Sequence, residues 1–153
     1  MSICGTCNLC CKLRGVAELN KPHHSWCTHA VKGVGCAIHK DKPSSCKTYV
    51  CLYYQMAEEG HPLPEEFRPD KSKVIVDTLL HKLGEIFLVW PDIPGAENST
   101  MIHRLMTTNN SIIVCRETLR IIIKLTSVGG QILLDLGVSE KEIQKRQWVE
   151  TSA

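Results

Sequence analysis

Four cysteines, Cys4, Cys7, Cys10 and Cys11, stand within eight consecutive residues at the start of the chain. Four more stand at Cys27, Cys36, Cys46 and Cys51, and of the nine cysteines in 153 residues only Cys115 lies outside the first third. The chemistry open to such a set is metal binding. A C-x2-C turn lets two sulfurs converge on one ion at about 2.3 Å from each. Extending it to C-x2-C-x2-C gives the three-ligand run found around iron–sulfur clusters, with a distant cysteine closing the site. Gly5 and Thr6 suit the tight loop this requires. Eight thiols can close two four-ligand sites or one multinuclear site. Adjacent Cys10 and Cys11 point in different directions from a regular backbone, so they more easily serve two metals, or a metal and a structural role. His23, His24, His29 and His39 lie among the cysteines. Imidazole can replace thiolate as a ligand, but eight thiols already suffice, and the histidines are expected to face solvent or stand behind the ligands.

The segments Cys4-Gly5-Thr6-Cys7-Asn8-Leu9-Cys10-Cys11, Trp26-Cys27, Gly35-Cys36-Ala37-Ile38-His39, Lys42-Pro43-Ser44-Ser45-Cys46 and Tyr49-Val50-Cys51 succeed one another in order. This arrangement resembles a bacterial cysteine-cluster family, the CxxCxxCC zinc- or iron-chelating domains. The stretch from Leu63 through Phe67 and Asp70 to Ser72 resembles the segment after the last cysteine in the longer members of that family, so the likeness spans roughly residues 4–75. His39 stands where tyrosine is usual and Lys42 where arginine is usual. The resemblance implies a thiolate-held iron–sulfur cluster, such as [4Fe–4S], or zinc. Flagellin lysine N-methylases share the cysteine motif, which implies a transferase as one alternative function; by analogy alone this says nothing of the substrate.

Composition narrows the remaining possibilities. Apolar residues make up 43% and charged residues 22%, which suits a globular protein. No apolar run approaches the length of a membrane span. Met1-Ser2-Ile3-Cys4 lacks the charged and apolar regions of a secretory signal, so a cytoplasmic protein with reduced thiols is expected rather than a disulfide framework. Residues 1–51 carry seven Lys and Arg against two Asp and Glu. Offsetting thiolate charge accounts for that excess better than a nucleic-acid surface does, because aromatic residues for base stacking are few. Gly33-Val34-Gly35 is a lone GxG with no strand before it, so no nucleotide loop is read there. Three functions remain: a metal-binding protein whose metal orders the front of the chain, a transferase with the cluster at its active site, and a metal or electron carrier. The partners expected are the metal or cluster and, beyond it, a protein partner or substrate.

The elements that must position these groups divide the chain in two, within a single domain over 1–153. Residues 1–60 form the cysteine-rich portion, mostly loop to residue 45. A helix is then predicted from Pro43-Ser44-Ser45 to Gly60, with Val50, Tyr53, Tyr54 and Ala57 on its buried stripe. On a continuous helix Cys46 and Cys51 stand about 140° apart around the axis. They can then share a metal only if Cys46 occupies an irregular first turn. Residues 61–150 form the α+β portion. Strands are predicted over Val74–Leu80, Glu85–Trp90 and Ser111–Cys115, and a helix capped by Asn98 or Ser99 runs to Met106. Residues Phe67 to Ser72 are read as an extended connector. A hairpin is predicted over Leu119–Leu125 and Gln131–Leu134 around Gly129-Gly130. Ser139 and Glu142 form a capping box for a last helix to about Trp148. The expected fold is α+β: a loop-rich cysteine and metal segment packed on a small antiparallel or mixed sheet with two or three helices. Cys115 is read as a core residue.

Overall fold

The computed structural model describes residues 5–98, 100–117 and 119–147. Cys4, the predicted cap Ser99 and the predicted helix end Trp148 lie outside them. The fold is α+β. Among the described residues no helix is long and apolar enough to cross a membrane.

The cysteine-rich front is built of very short elements: helix α1 (Cys10–Leu13), a two-stranded antiparallel hairpin of β1 (Ala30–Val31) and β2 (Gly35–Cys36), helix α2 (Ser44–Lys47) and helix α3 (Leu52–Glu58). The single helix expected from Pro43 to Gly60 is thus two. Thr48 caps α2, and Cys51 is already extended, at φ −74° and ψ 160°, as the N-cap of α3. Thr48 and Val50 are β-branched and favour helix weakly. The Tyr49 ring between them is drawn inward to the sheet, where its hydroxyl donates to Asp77. The expected extended connector before the sheet is also corrected. A 3-10 turn at Glu65–Phe67 leads into helix α4 (Pro69–Ser72), with Pro69 preorganised at its first position.

Next in the chain comes a four-stranded mixed sheet: β3 (Val74–His81), β4 (Gly84–Pro91), β5 (Ser111–Cys115) and β6 (Arg120–Lys124), hydrogen-bonded in that order. β3 and β4 form a hairpin, β5 runs parallel to β4, and β6 returns antiparallel to β5. The parallel step is made possible by helix α5 (Thr100–Met106), which carries the chain back along the sheet. Both faces are buried, and consecutive residues serve opposite ones. Val74, Val76, Phe87, Val89, Ile112 and Val114 pack with Met101, Ile102 and Leu105 of α5. Ile75, Ile86, Trp90, Ile113, Cys115 and Ile122 pack on the other face with Leu9, Leu13, Cys51 and Tyr54 of the cysteine segment.

The predicted second strand after β6 is instead helix α6 (Ser127–Asp135), whose Ile132 and Leu133 join the cysteine-side core. Two local features outweigh the pattern that suggested a hairpin. Thr126 caps the helix, its Oγ1 accepting from Gly129 N at 3.0 Å. Gly129 also lies so close to β5 that a Cβ there would stand 1.9 Å from Ser111 Oγ, so the glycine marks a helix–sheet contact rather than a turn. The N-cap half of the final capping box is present, with Ser139 Oγ accepting from Glu142 N at 3.2 Å at the start of helix α7 (Glu140–Arg146), while Glu142 Oε2 accepts from Arg146 Nε at 3.1 Å.

Candidate metal centre

Seven of the eight predicted ligands fall among the described residues, and all seven line one cavity of about 520 Å³: Cys7, Cys10, Cys11, Cys27, Cys36, Cys46 and Cys51. They come from five separate places in the front of the chain. No disulfide joins the described cysteines. Cys115 is elsewhere, buried in β5 in the sheet core.

Several polar contacts hold the cysteine-bearing loops around this space. Asn8, buried between Cys7 and α1, donates from Nδ2 to Val31 O at 2.9 Å and to Gly35 O at 3.3 Å. One side chain thereby ties the β1–β2 hairpin, and Cys36 with it, to the opening loop. Cys27 N donates to Cys11 O at 2.8 Å, bringing the second segment against the first. Lys21, itself buried, donates to Lys12 O at 3.1 Å, to Pro22 O at 3.0 Å and to Arg14 O. Its ammonium satisfies carbonyls at the C-terminal end of α1, where cations are favoured. Glu18 receives Ser45 N at 3.1 Å and Ser45 Oγ at 2.8 Å, fixing the residue next to Cys46.

Beneath the cavity, Arg14 lies 3.7 Å from the Tyr49 ring centroid and pairs with Asp77 at 3.4 Å. Tyr49 and Arg14 reach the cavity wall, and Ile75 of the sheet forms part of it. Burial, then the neighbouring Asp77, pushes the Tyr49 hydroxyl well above its ordinary value, so it remains a neutral donor. The thiols are not equivalent either. A hydrogen bond from the Cys10 thiol, aided by the charges of Lys21 and Lys42 against the cost of burial, lowers Cys11 to about 7. Burial raises Cys7 and Cys46.

Of the four histidines, His39 lines the cavity. His23 stacks on Trp90 with ring centroids 4.6 Å apart and accepts from Gly15 N at 2.9 Å. His24 tilts against the same indole. Among the described residues, no three His, Cys, Asp or Glu side chains stand close enough to hold a single ion. The thiols therefore share a cavity without closing on one point. Asn8, Lys21, Glu18 and the Arg14–Tyr49–Asp77 group carry no spacing signature in the sequence. Their roles depend on partners up to 63 residues away, as for Arg14 and Asp77.

No family model, curated protein or solved structure matches the chain.

Proposed function

We propose that this chain is a metal-binding protein of the zinc- or iron-chelating cysteine-cluster type, its N-terminal thiolates holding an iron–sulfur cluster or zinc. The observation that carries this reading is the convergence of all seven described N-terminal cysteines on one cavity. The donor set fits such a group: thiolate selects zinc and iron–sulfur clusters over hard cations. The cavity is far larger than the roughly 30 Å³ that one water occupies in the liquid, which suits more than a single small ion. Lys21 and Lys42 stand close enough to act on the thiols, as cations offsetting thiolate charge should.

The elements bearing these cysteines are two to four residues long, and Cys51 caps one of seven, all too short to be stable alone. Binding a structural metal contributes on the order of 10–16 kcal/mol, enough to draw the loops inward and fix them. A reducing compartment, the cytoplasm, suits thiols left unoxidised for this purpose. Anaerobic purification followed by zinc, iron and acid-labile sulfide analysis tests the reading. Iron with matching sulfide identifies a cluster, and zinc without sulfide identifies zinc. A folded protein carrying neither, and taking up neither on reconstitution, would refute it.

A further inference from the structure

Away from the thiols, a second cavity of about 270 Å³ lies at the carboxyl ends of β4 and β5. These two strands run parallel, so the loops that follow them emerge side by side. The loop after β4 supplies Asp92 and Glu97, and the turn after β5 supplies Arg116 and Glu117. His24 reaches the same cavity from the cysteine segment. Sheets with parallel strands and helical crossovers hold their ligands at this end, outside the carboxyl ends of the strands.

Two buried polar atoms of these lining residues have no hydrogen-bond partner among the described residues: Glu97 Oε2 and His24 Nε2. Buried polar atoms are ordinarily satisfied, so each exception calls for a reason. Glu97 is only 6% exposed, in a 3-10 turn over Ala96–Asn98. Arg116 Nη2 donates to its Oε1, which leaves Oε2 for something else. His24 is held in the left-handed region at φ 57°, uncommon for a residue with a Cβ. Its N donates to Leu13 O at 3.1 Å and its ring tilts against Trp90 near the end of β4. Charge says what the missing partner is. Asp92, Glu97 and Glu117 stand against Arg116 and the Lys12 that pairs with Asp92, one negative charge in excess. Among the described residues no three His, Cys, Asp or Glu could hold a metal ion. An organic cation with N–H donors meets both needs, since carboxylate oxygen and the unprotonated nitrogen of a neutral imidazole are acceptors.

We propose that the cavity at the ends of β4 and β5 binds a small primary alkylammonium, with Glu97 as its anionic anchor and His24 as a second acceptor. Pro91, Ile93 and Pro94 supply an apolar wall for a short alkyl stem. The volume falls below the roughly 300–1,000 Å³ of pockets for drug-sized ligands, which suits a compact amine. The site is separate from the thiol cavity, and its failure would leave the metal-binding reading untouched.

The test titrates the full, reduced chain at pH 7 and constant ionic strength with n-butylammonium, followed by amide NMR. Saturable shifts are expected at Ile93, Glu97 and Arg116. Neither n-butanol, which has the stem without the charge, nor tetramethylammonium, which has the charge without an N–H, should saturate these signals. Glu97→Gln should weaken n-butylammonium roughly ten- to hundredfold, as the loss of a charged hydrogen bond does. Arg116→Gln breaks the same ion pair but removes a competing cation, so it should bind at least as tightly as the parent. Should Glu97→Gln fail to fold, the exposed Glu117 carries the test, and Glu117→Gln should weaken binding several-fold. No saturable shift in the parent, equal binding of n-butanol or tetramethylammonium, or equal weakening by Glu97→Gln and Arg116→Gln would overturn the proposal. The last of these outcomes would reduce the Glu97–Arg116 pair to a structural contact.

Discussion

Cys115 shares its chemistry with the cavity thiols but not its surroundings. It lies in β5 at 1% exposure, and burial pushes its thiol up from 9.0 to about 11. Its neutral form is the one the fold accepts. The stabilisation this represents is fully present below pH 9, where the unfolded thiol is also neutral, and is lost as pH rises from 9 to 11. Comparing Cys115→Ala with the parent isolates this effect, because every other thiol titrates in both. The stability advantage of the parent in urea unfolding is expected to be constant up to about pH 8 and to shrink by roughly 2–3 kcal/mol by pH 11, at 1.36 kcal/mol per unit. A gap that stays constant across this range would show that Cys115 ionises as freely in the folded protein as in the unfolded one.

At the scale of elements, the contact between α6 and β5 makes a sharp demand. Ser111 is fully buried, its Oγ accepts from Thr126 N at 2.8 Å, and Gly129 leaves room for it. Gly129→Ala would place a methyl group inside that hydroxyl. Helix propensity favours alanine by about 1 kcal/mol, but overpacking costs roughly 1–3 kcal/mol, and with the sheet backbone behind Ser111 the second effect should win. Net destabilisation in thermal unfolding is expected, whereas Gly130→Ala, whose new Cβ would meet only Leu125 Cδ1 at 4.0 Å, should be neutral or stabilising. The same helix marks the limit of what the sequence discloses. β3, β4 and β5 were legible because their alternating apolar residues serve two cores. α6 was not, because the consecutive isoleucines 121–123 belong to β6 and Gly129-Gly130 resembles a turn until Ser111 is seen beside it. In the candidate site, the seven thiols that line the cavity stand out in the sequence by type and spacing, while the break between α2 and α3 does not. That break lets Cys46 and Cys51 line one cavity, and it depends on Tyr49 reaching Asp77 across 28 residues.

For the molecule as a whole, the two portions draw on different sources of stability. The sheet has apolar layers on both faces, while the cysteine segment contributes only a few side chains, Leu9 and Leu13 among them to one layer and Leu52 to the other. If the front of the chain holds the proposed metal, hydrogen exchange before and after its removal should therefore divide along the chain. Amides of residues 5–51 are expected to lose protection on chelation, and those of β4 and β5 to keep most of theirs. Uniform loss would mean that the sheet depends on the metal, and no change would mean that the front of the chain holds itself together. The two-faced sheet has an evolutionary consequence too. Ile112 and Val114 answer to α5, while their neighbours Ile113 and Cys115 answer to the opposite layer. Selection acting on the sulfur-bearing side leaves every second strand position free to drift with α5, so lineages could diversify one surface of the protein without disturbing the other.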